Sequence, residues 1–269
     1  MHIQITFNNI SDTIKELLIA ELADIAEGFE ETDTDLHAFF MKEKYDREAV
    51  TSLAALHNIT FTENEIAPQN WNALWESNFE PVIVENFVGV RAFFHAPIPD
   101  VQHEIIITPK MSFGTGHHAT TYLMIQQMQQ IDFKGKTVFD FGTGTGILAI
   151  LAAKLGAQQI TANDIDEWSI QNARENFEAN NVTDIRLVHS DSGMMAEHFD
   201  IILANINRNV LLENISHLSN QLNNNGLLIL SGILREDIAI IEQCCKNNHL
   251  SLSGQAEKSN WMCLSFKKL

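Results

Sequence analysis

The chain has 269 residues, 45% of them hydrophobic and 19% charged, and 17 basic against 35 acidic side chains give a formal net charge of −18. That balance argues against a protein that grips nucleic acid through its phosphates, and no apolar run approaches the ~20 residues of a membrane helix. The length suits a globular protein of two domains, and the acidity fits either a basic partner or plain solubility.

Met1–Phe7 alternates like a strand and lacks the basic and apolar regions of a signal peptide, so cytoplasm is the expected compartment. Ser11-Asp12 can cap a helix whose apolar positions include Ile14, Leu17, Leu18 and Leu22. Strands at Gly28–Glu31 and Leu36–Met41, a helix at Arg47–His57 and a strand at Ile59–Thr62 complete a βαββαβ order. That is the ferredoxin-like α+β plan, here assigned to residues 1–62. Glu27, Glu30, Glu31, Asp33 and Asp35 read as a solvated acidic face before a docking site. No catalytic constellation occurs in this region.

Residues 63–100 read as a connecting segment. Glu63–Gln69 is polar and contains Pro68. Trp71, Leu74, Trp75 and Phe79 fall at helical spacing and predict a helix packed on the domain behind it. Short strands follow at Val82–Val84 and Gly89–Phe94.

From residue 101 to 269 the pattern becomes that of a larger α/β domain. Ile105–Ile107 leads into a polar, glycine-punctuated loop, Met111–Thr121, and then a helix from Tyr122 to about Gln130. Val138–Phe141 reads as a buried strand, Gly142-Thr143-Gly144-Thr145-Gly146 as a tight turn, and Ile147–Leu155 as a helix. Strands at Gln159–Asn163, Ile185–His189, Phe199–Ala204 and Gly226–Leu230 alternate with helices at Glu167–Asn180, Val210–Leu222 and Asp237–Lys246. Leu250–Ser253 and Met262–Phe266 form an antiparallel pair. Apolar strands alternating with helices imply a parallel sheet covered on both faces. Cys244, Cys245 and Cys263 are read as free thiols, since adjacent cysteines in a helix would make a strained disulfide.

Ligands on such sheets sit beyond the carboxyl ends of the strands, where Asp140, Asp164, Asp191 and Asn205 all fall. Gly142 and Gly144 let a ligand lie against bare backbone at a helix start. Asp164, about twenty residues after Gly142, is placed to accept hydrogen bonds from ribose hydroxyls. An acid at Asp140, inside the turn, disfavours a pyrophosphate and favours a ligand with an ammonium or sulfonium, hence S-adenosyl-L-methionine over NAD. His117 and His118 have no ligand-like Cys, Asp or Glu partners nearby, so loop hydrogen bonding is expected there, and no metal.

Val138–Gly146 with Asp164 resembles the first two motifs of class I S-adenosylmethionine-dependent methyltransferases, a Rossmann-like fold. Phe113-Gly114-Thr115-Gly116-His117-His118-Ala119-Thr120-Thr121, Asp140-Phe141-Gly142-Thr143-Gly144, Ala204-Asn205-Ile206 and Leu230-Ser231-Gly232-Ile233-Leu234 resemble the PrmA family. Those enzymes methylate the stalk-base protein numbered eleven of the large ribosomal subunit. The resemblance implies cofactor contacts at Thr121, Gly142, Asp164 and Asn205, and a Phe113–Thr121 loop folded over the cofactor. It also implies a basic ribosomal protein as partner, methylated on lysine side chains and at the N-terminal amine, and an N-terminal substrate-recognition domain. Nothing demands more than a monomer. Asn205 is the candidate to orient the acceptor amine; no general base stands out. The chain departs from the family pattern at His117, Ala119 and Thr143, often threonine, proline and cysteine there, and at Asn207-Arg208-Asn209, where small residues are common. A same-fold methyltransferase of small amines or RNA, and an NAD-dependent oxidoreductase, are the competing readings.

Overall fold

A computed structural model of the chain describes residues 2–22, 25–32, 34–66, 80–108 and 116–269. The tryptophan-containing helix expected within 70–79 and the Phe113–Thr115 part of the loop lie outside the described residues. Two compact units divide the chain, Met1–Phe79 and Glu80–Leu269.

In the first unit β1 (His2–Phe7), α1 (Asp12–Leu22), β2 (Gly28–Glu31), β3 (Leu36–Met41), α2 (Arg47–Leu56) and β4 (Phe61–Ile66) follow in order. The strands form one antiparallel sheet ordered β2-β3-β1-β4, the expected ferredoxin-like arrangement. Alternation puts Ile3, Ile5 and Phe7 of β1 and Leu36, Ala38 and Phe40 of β3 on the buried face. Leu18 and Leu22 of α1 and Val50 and Ala54 of α2 pack there. Asp46 caps α2, its carboxylate accepting from the Glu48 and Ala49 amides. β4 runs four residues past the expected end at Thr62. Polar Glu63–Ile66 looked like linker, but its backbone pairs with His2–Ile5, and Glu63 and Glu65 find Arg47 and Lys42 as ion-pair partners.

The second unit opens with a three-stranded sheet, β5 (Val82–Val84), β6 (Val88–Ala92) and β7 (His103–Ile107), in which β6 and β7 are parallel. β6 stops at Ala92 instead of Phe94 because the buried Arg91 guanidinium donates to the Ala92 and His95 carbonyls and closes a turn. Glu104 holds Arg91 in place.

There follow α3 (Ala119–Met128), β8 (Thr137–Phe141), α4 (Ile147–Lys154), β9 (Gln159–Asp164), α5 (Glu167–Ala179), β10 (Ile185–His189), β11 (Phe199–Asn205), α6 (Arg208–Gln221), β12 (Leu222–Leu234), α7 (Ile238–Asn247), β13 (Leu250–Lys258) and β14 (Trp261–Lys268). Seven strands form one sheet ordered β10-β9-β8-β11-β12-β14-β13. β8 to β12 pair in parallel, and β14 runs antiparallel to both its neighbours. α3, α4 and α5 pack in succession, and α6 packs on α7, giving the two helical layers that a doubly wound sheet needs. Phe139 stacks on Phe199 at 5.1 Å within a core that continues through Leu211, Leu230 and Phe266.

Four elements depart from their expected bounds. β12 spans Leu222–Leu234 where Gly226–Leu230 was expected; Leu222 sits opposite Phe199 of β11, and regular pairing with β11 and β14 begins at Leu227. β13 and β14 extend to Lys258 and from Trp261, joined at Ser259 and Asn260 with φ of 49° and 67°, the left-handed pair that suits a tight hairpin. Helix α6 starts at Arg208, where the Asn207 side chain accepts the Val210 amide. Cys245 and Cys263 are buried free thiols whose pKa values burial pushes up. Among the described residues no helix is long and apolar enough to cross a membrane.

Candidate functional site

Successive strands run outward in one direction from β8 to β9 and β10, and in the other from β11 to β12. The split between β8 and β11 is the place where such sheets open a crevice. Gly142, Gly144 and Gly146 adopt φ of 73°, 54° and 83°, which side-chain-bearing residues rarely tolerate. The turn closes through Thr143 N–H to the Asn163 carbonyl and Gly146 N–H to the Thr143 carbonyl, both 2.8 Å. A Cβ at Gly142 would stand 2.4 Å from Ile206 Cγ2, so the turn after β8 lies directly against the turn after β11.

A cavity of about 690 Å³ opens there, within the usual range for small-molecule sites. Four of the six residues expected to meet the cofactor line it: Gly142, Gly144, Asp164 and Asn205. Asp164, half-buried at the tip of β9, accepts the Gly144 amide at 2.8 Å and the Asp166 amide at 3.0 Å.

Thr121 and Asp140 stand behind the wall. Thr121 is buried on α3, and its hydroxyl oxygen accepts a long bond, 3.4 Å, from the Asn205 side-chain amide. Asp140 is buried, accepting the Thr143 hydroxyl at 2.6 Å and the Ala149 amide at 3.2 Å on one oxygen. Its pKa is pushed up to about 7, by burial above all; the two hydrogen bonds oppose this and the charge of Asp164 adds to it. The expectation that the Asp140 charge faces a cationic ligand therefore finds no support in this geometry. One oxygen is engaged with the turn and the start of α4, and the other is buried without a hydrogen-bond partner.

Sequence reading passed over two contributors, Asn163 and Trp261. Asn163 is fully buried, donates to the Ser190 and Ser192 carbonyls, each at 3.1 Å, and accepts from the Gly142 amide at 3.4 Å. It ties the turns after β8 and β10 together. Its one sequence signal is its place at the end of β9, immediately before Asp164. Trp261 of β14 lines the cavity edge-on to His118, ring centroids 4.7 Å apart. His118 also caps α3 through the Thr120 amide, while His117 hydrogen-bonds the Glu80 carbonyl. At Gly232 a Cβ would stand 2.2 Å from the Ile206 carbonyl oxygen, so only glycine fits beside that turn. Among the described residues no group of three His, Cys, Asp or Glu is gathered to hold a metal.

The lining suits the S-adenosylmethionine that the sequence resemblance implies. A carboxylate at a strand tip can accept from vicinal hydroxyls, bare glycine backbone admits close approach, and Ile165, Ile206, Val210 and Trp261 supply apolar walls.

Comparison with known proteins bears on the same residues. The family described as "Ribosomal protein L11 methyltransferase (PrmA)" matches residues 4–269. A ribosomal protein L11 methyltransferase of Porphyromonas gingivalis is 44% identical over 264 residues, covering 95% of this chain and 91% of the relative. One from Chlorobaculum parvum is 40% identical, covering 88% and 86%. The crystal structure of a ribosomal protein L11 methylase from Lactobacillus delbrueckii subsp. bulgaricus superposes with a TM-score of 0.66 at 32% identity, covering 71% of this chain and all of the other. A methyltransferase from Pyrococcus furiosus, 21% identical with a TM-score of 0.51 over 61% of this chain and 89% of that one, shares the fold.

Proposed function

The chain belongs to the ribosomal protein L11 methyltransferase (PrmA) family, and we propose that it transfers methyl groups from S-adenosyl-L-methionine to amines of ribosomal protein L11. The acceptors are lysine side chains, with the N-terminal amine as a further candidate. Chief support comes from the crevice itself, where Asp164 is fastened to Gly144 and Gly142 and Asn205 line the same cavity.

When bound, S-adenosyl-L-methionine supplies an electrophilic methyl group on a sulfonium. This chain's residues must hold the cofactor and deliver a neutral amine to it. Asp164 accepts from the ribose hydroxyls, and the Gly142–Gly144 backbone admits the ligand against the turn. A free lysine has a pKa of ~10.4, so about one in a thousand is neutral near pH 7.4. The apolar lining favours the uncharged form by desolvation. Carboxylates touching the amine would raise its pKa and oppose reaction; Asn205, polar but uncharged, can orient the nitrogen without that penalty. Positioning of this kind is worth up to ~7–11 kcal/mol.

The first unit is the substrate-recognition domain in this reading. Its exposed Glu27, Glu30 and Glu31 suit a basic protein, and the enzyme works as a cytoplasmic monomer. Mass spectrometry of L11 after incubation with the full chain and cofactor tests the proposal. Added mass in 14-dalton steps, mapped to lysines and the N-terminus, is expected (~14 for each CH₂ gained). No added mass on L11, with methylation of RNA or small amines instead, overturns it.

A further inference from the structure

Asn172, Asn176 and Asn180 recur every fourth residue along α5 and its C-terminal cap, and all three are buried. Four-residue spacing sets them on one helix face. That face meets β7, and the three amides act there as a neighbouring strand would. Asn180 accepts the Ile106 N–H at 3.0 Å and donates to the Ile106 carbonyl at 2.6 Å. Two residues on, Asn176 accepts the Thr108 N–H at 2.7 Å and Asn172 donates to the Thr108 carbonyl at 3.1 Å. Residues i and i+2 of a strand present their backbone groups to the same side, so the edge of β7 facing away from β6 is satisfied by side chains.

Asn176 differs from its two neighbours. Its Nδ2 donates to the Thr145 carbonyl at 2.8 Å and to Asn172 Oδ1 at 3.2 Å. Thr145 lies between Gly144 and Gly146, in the turn that forms the wall of the crevice, and it too is buried. A single amide therefore fixes the end of β7 with its oxygen and the glycine turn with its nitrogen. Gly142, Gly144 and Gly146 are backbone positions with little intrinsic stiffness, so an outside anchor decides where their amides point.

We propose that Asn176 is a positioning residue for the cofactor cradle, setting the glycine turn through Thr145 and coupling it to β7 through Thr108. The proposal rests on the reading that the cradle holds S-adenosylmethionine. Asn176→Asp keeps shape and the acceptor for Thr108 but turns the nitrogen into an oxygen facing the Thr145 carbonyl. Asn180→Asp makes the same exchange on the same ladder, one turn away and without contact to the cradle.

Calorimetry with S-adenosylhomocysteine on the full chain separates the two, with melting temperatures measured alongside. Asn176→Asp is expected to raise Kd about tenfold or more, while Asn180→Asp lowers the melting temperature yet stays within about twofold of wild-type Kd. Wild-type affinity in Asn176→Asp, or an equal loss in Asn180→Asp, overturns the proposal. Failure of the wild-type chain to bind S-adenosylhomocysteine overturns the cofactor reading instead. Should Asn176→Asp not fold, amide exchange of the wild-type chain decides: ligand must slow exchange of the Thr108 N–H more than that of the Ile106 N–H. Equal slowing, or none at Thr108, refutes the coupling.

Discussion

The Asp164 carboxylate accepts the Gly144 amide at 2.8 Å, so the tip of β9 and the glycine turn of β8 are fastened at the mouth of the crevice. The bond uses a backbone donor that the turn leaves free; with the Asp166 amide on its other oxygen, the carboxylate still keeps lone pairs that a ligand can use. In the proposed function Asp164 also holds the ribose, and substitution can separate the two roles. Asp164→Ala loses both and is expected to weaken S-adenosylmethionine binding by at least ~1.5 kcal/mol. Asp164→Asn retains an oxygen for Gly144 and should fall between. Wild-type affinity for the alanine variant in calorimetry refutes the ribose assignment.

Asp140 predicts a pH dependence of stability. Its native pKa is raised to about 7, by burial first, against ~3.9 in the unfolded chain. Between those values the native state holds a proton that the unfolded state releases. The resulting contribution is fully present below about pH 4 and is lost as pH rises through about 7. Asp140→Asn cannot titrate, so the stability of the wild type relative to the variant should decline from about pH 4 to pH 8 and then level off. Urea titrations across that range measure it, and a pH-independent difference rejects the assignment.

The parts of the site carried by backbone demands were legible in the sequence. Glycines with positive φ announce themselves, and a carboxylate one strand later lands at the tip of the neighbouring strand because parallel strands share a direction. Burial of single groups was not legible. Nothing in Asp140-Phe141-Gly142 says that the carboxyl is buried with one oxygen turned toward Thr143 and Ala149. Trp261 reaches the cavity because β14 inserts between β12 and β13, a pairing with no local signature. Asn223, Asn224 and Asn225 fall within the bounds of β12, yet regular pairing with β11 and β14 begins only at Leu227.

Gly142 and Ile206 offer a test of the narrow waist between β8 and β11. Gly142→Ala forces an L residue into φ of 73° and sets Cβ 2.4 Å from Ile206 Cγ2. The left-handed conformation alone costs about 1–2 kcal/mol. In an Ile206→Ala background the overlap is gone and only that conformational cost remains. A double-mutant cycle should therefore give a coupling of roughly 1 kcal/mol. Equal cost of Gly142→Ala in both backgrounds contradicts the contact.

Asn205 lines the cavity, and in the proposed function it orients the acceptor amine. Asn205→Ala is expected to lower kcat on L11 by about a hundredfold, the scale on which misplacement of a reacting group acts. Thr121→Val removes only the long bond to the Asn205 amide and should cost far less. Unchanged turnover together with unchanged cofactor affinity in Asn205→Ala sinks the role.

Charge governs the last prediction. With a net charge of −18, the chain attracts a basic substrate over distances set by the Debye length, ~10 Å at 0.1 M salt. Steering acts on encounter more than on the chemical step. On L11, kcat/KM should therefore fall as salt rises while kcat changes little. Reversing exposed charges on β2, Glu30→Lys with Glu31→Lys, changes the first unit alone and should flatten that salt dependence without altering S-adenosylmethionine affinity. A salt profile as steep as the wild type's would place the steering charges elsewhere, on the second unit, because the reversal changes the charge of the first unit by four.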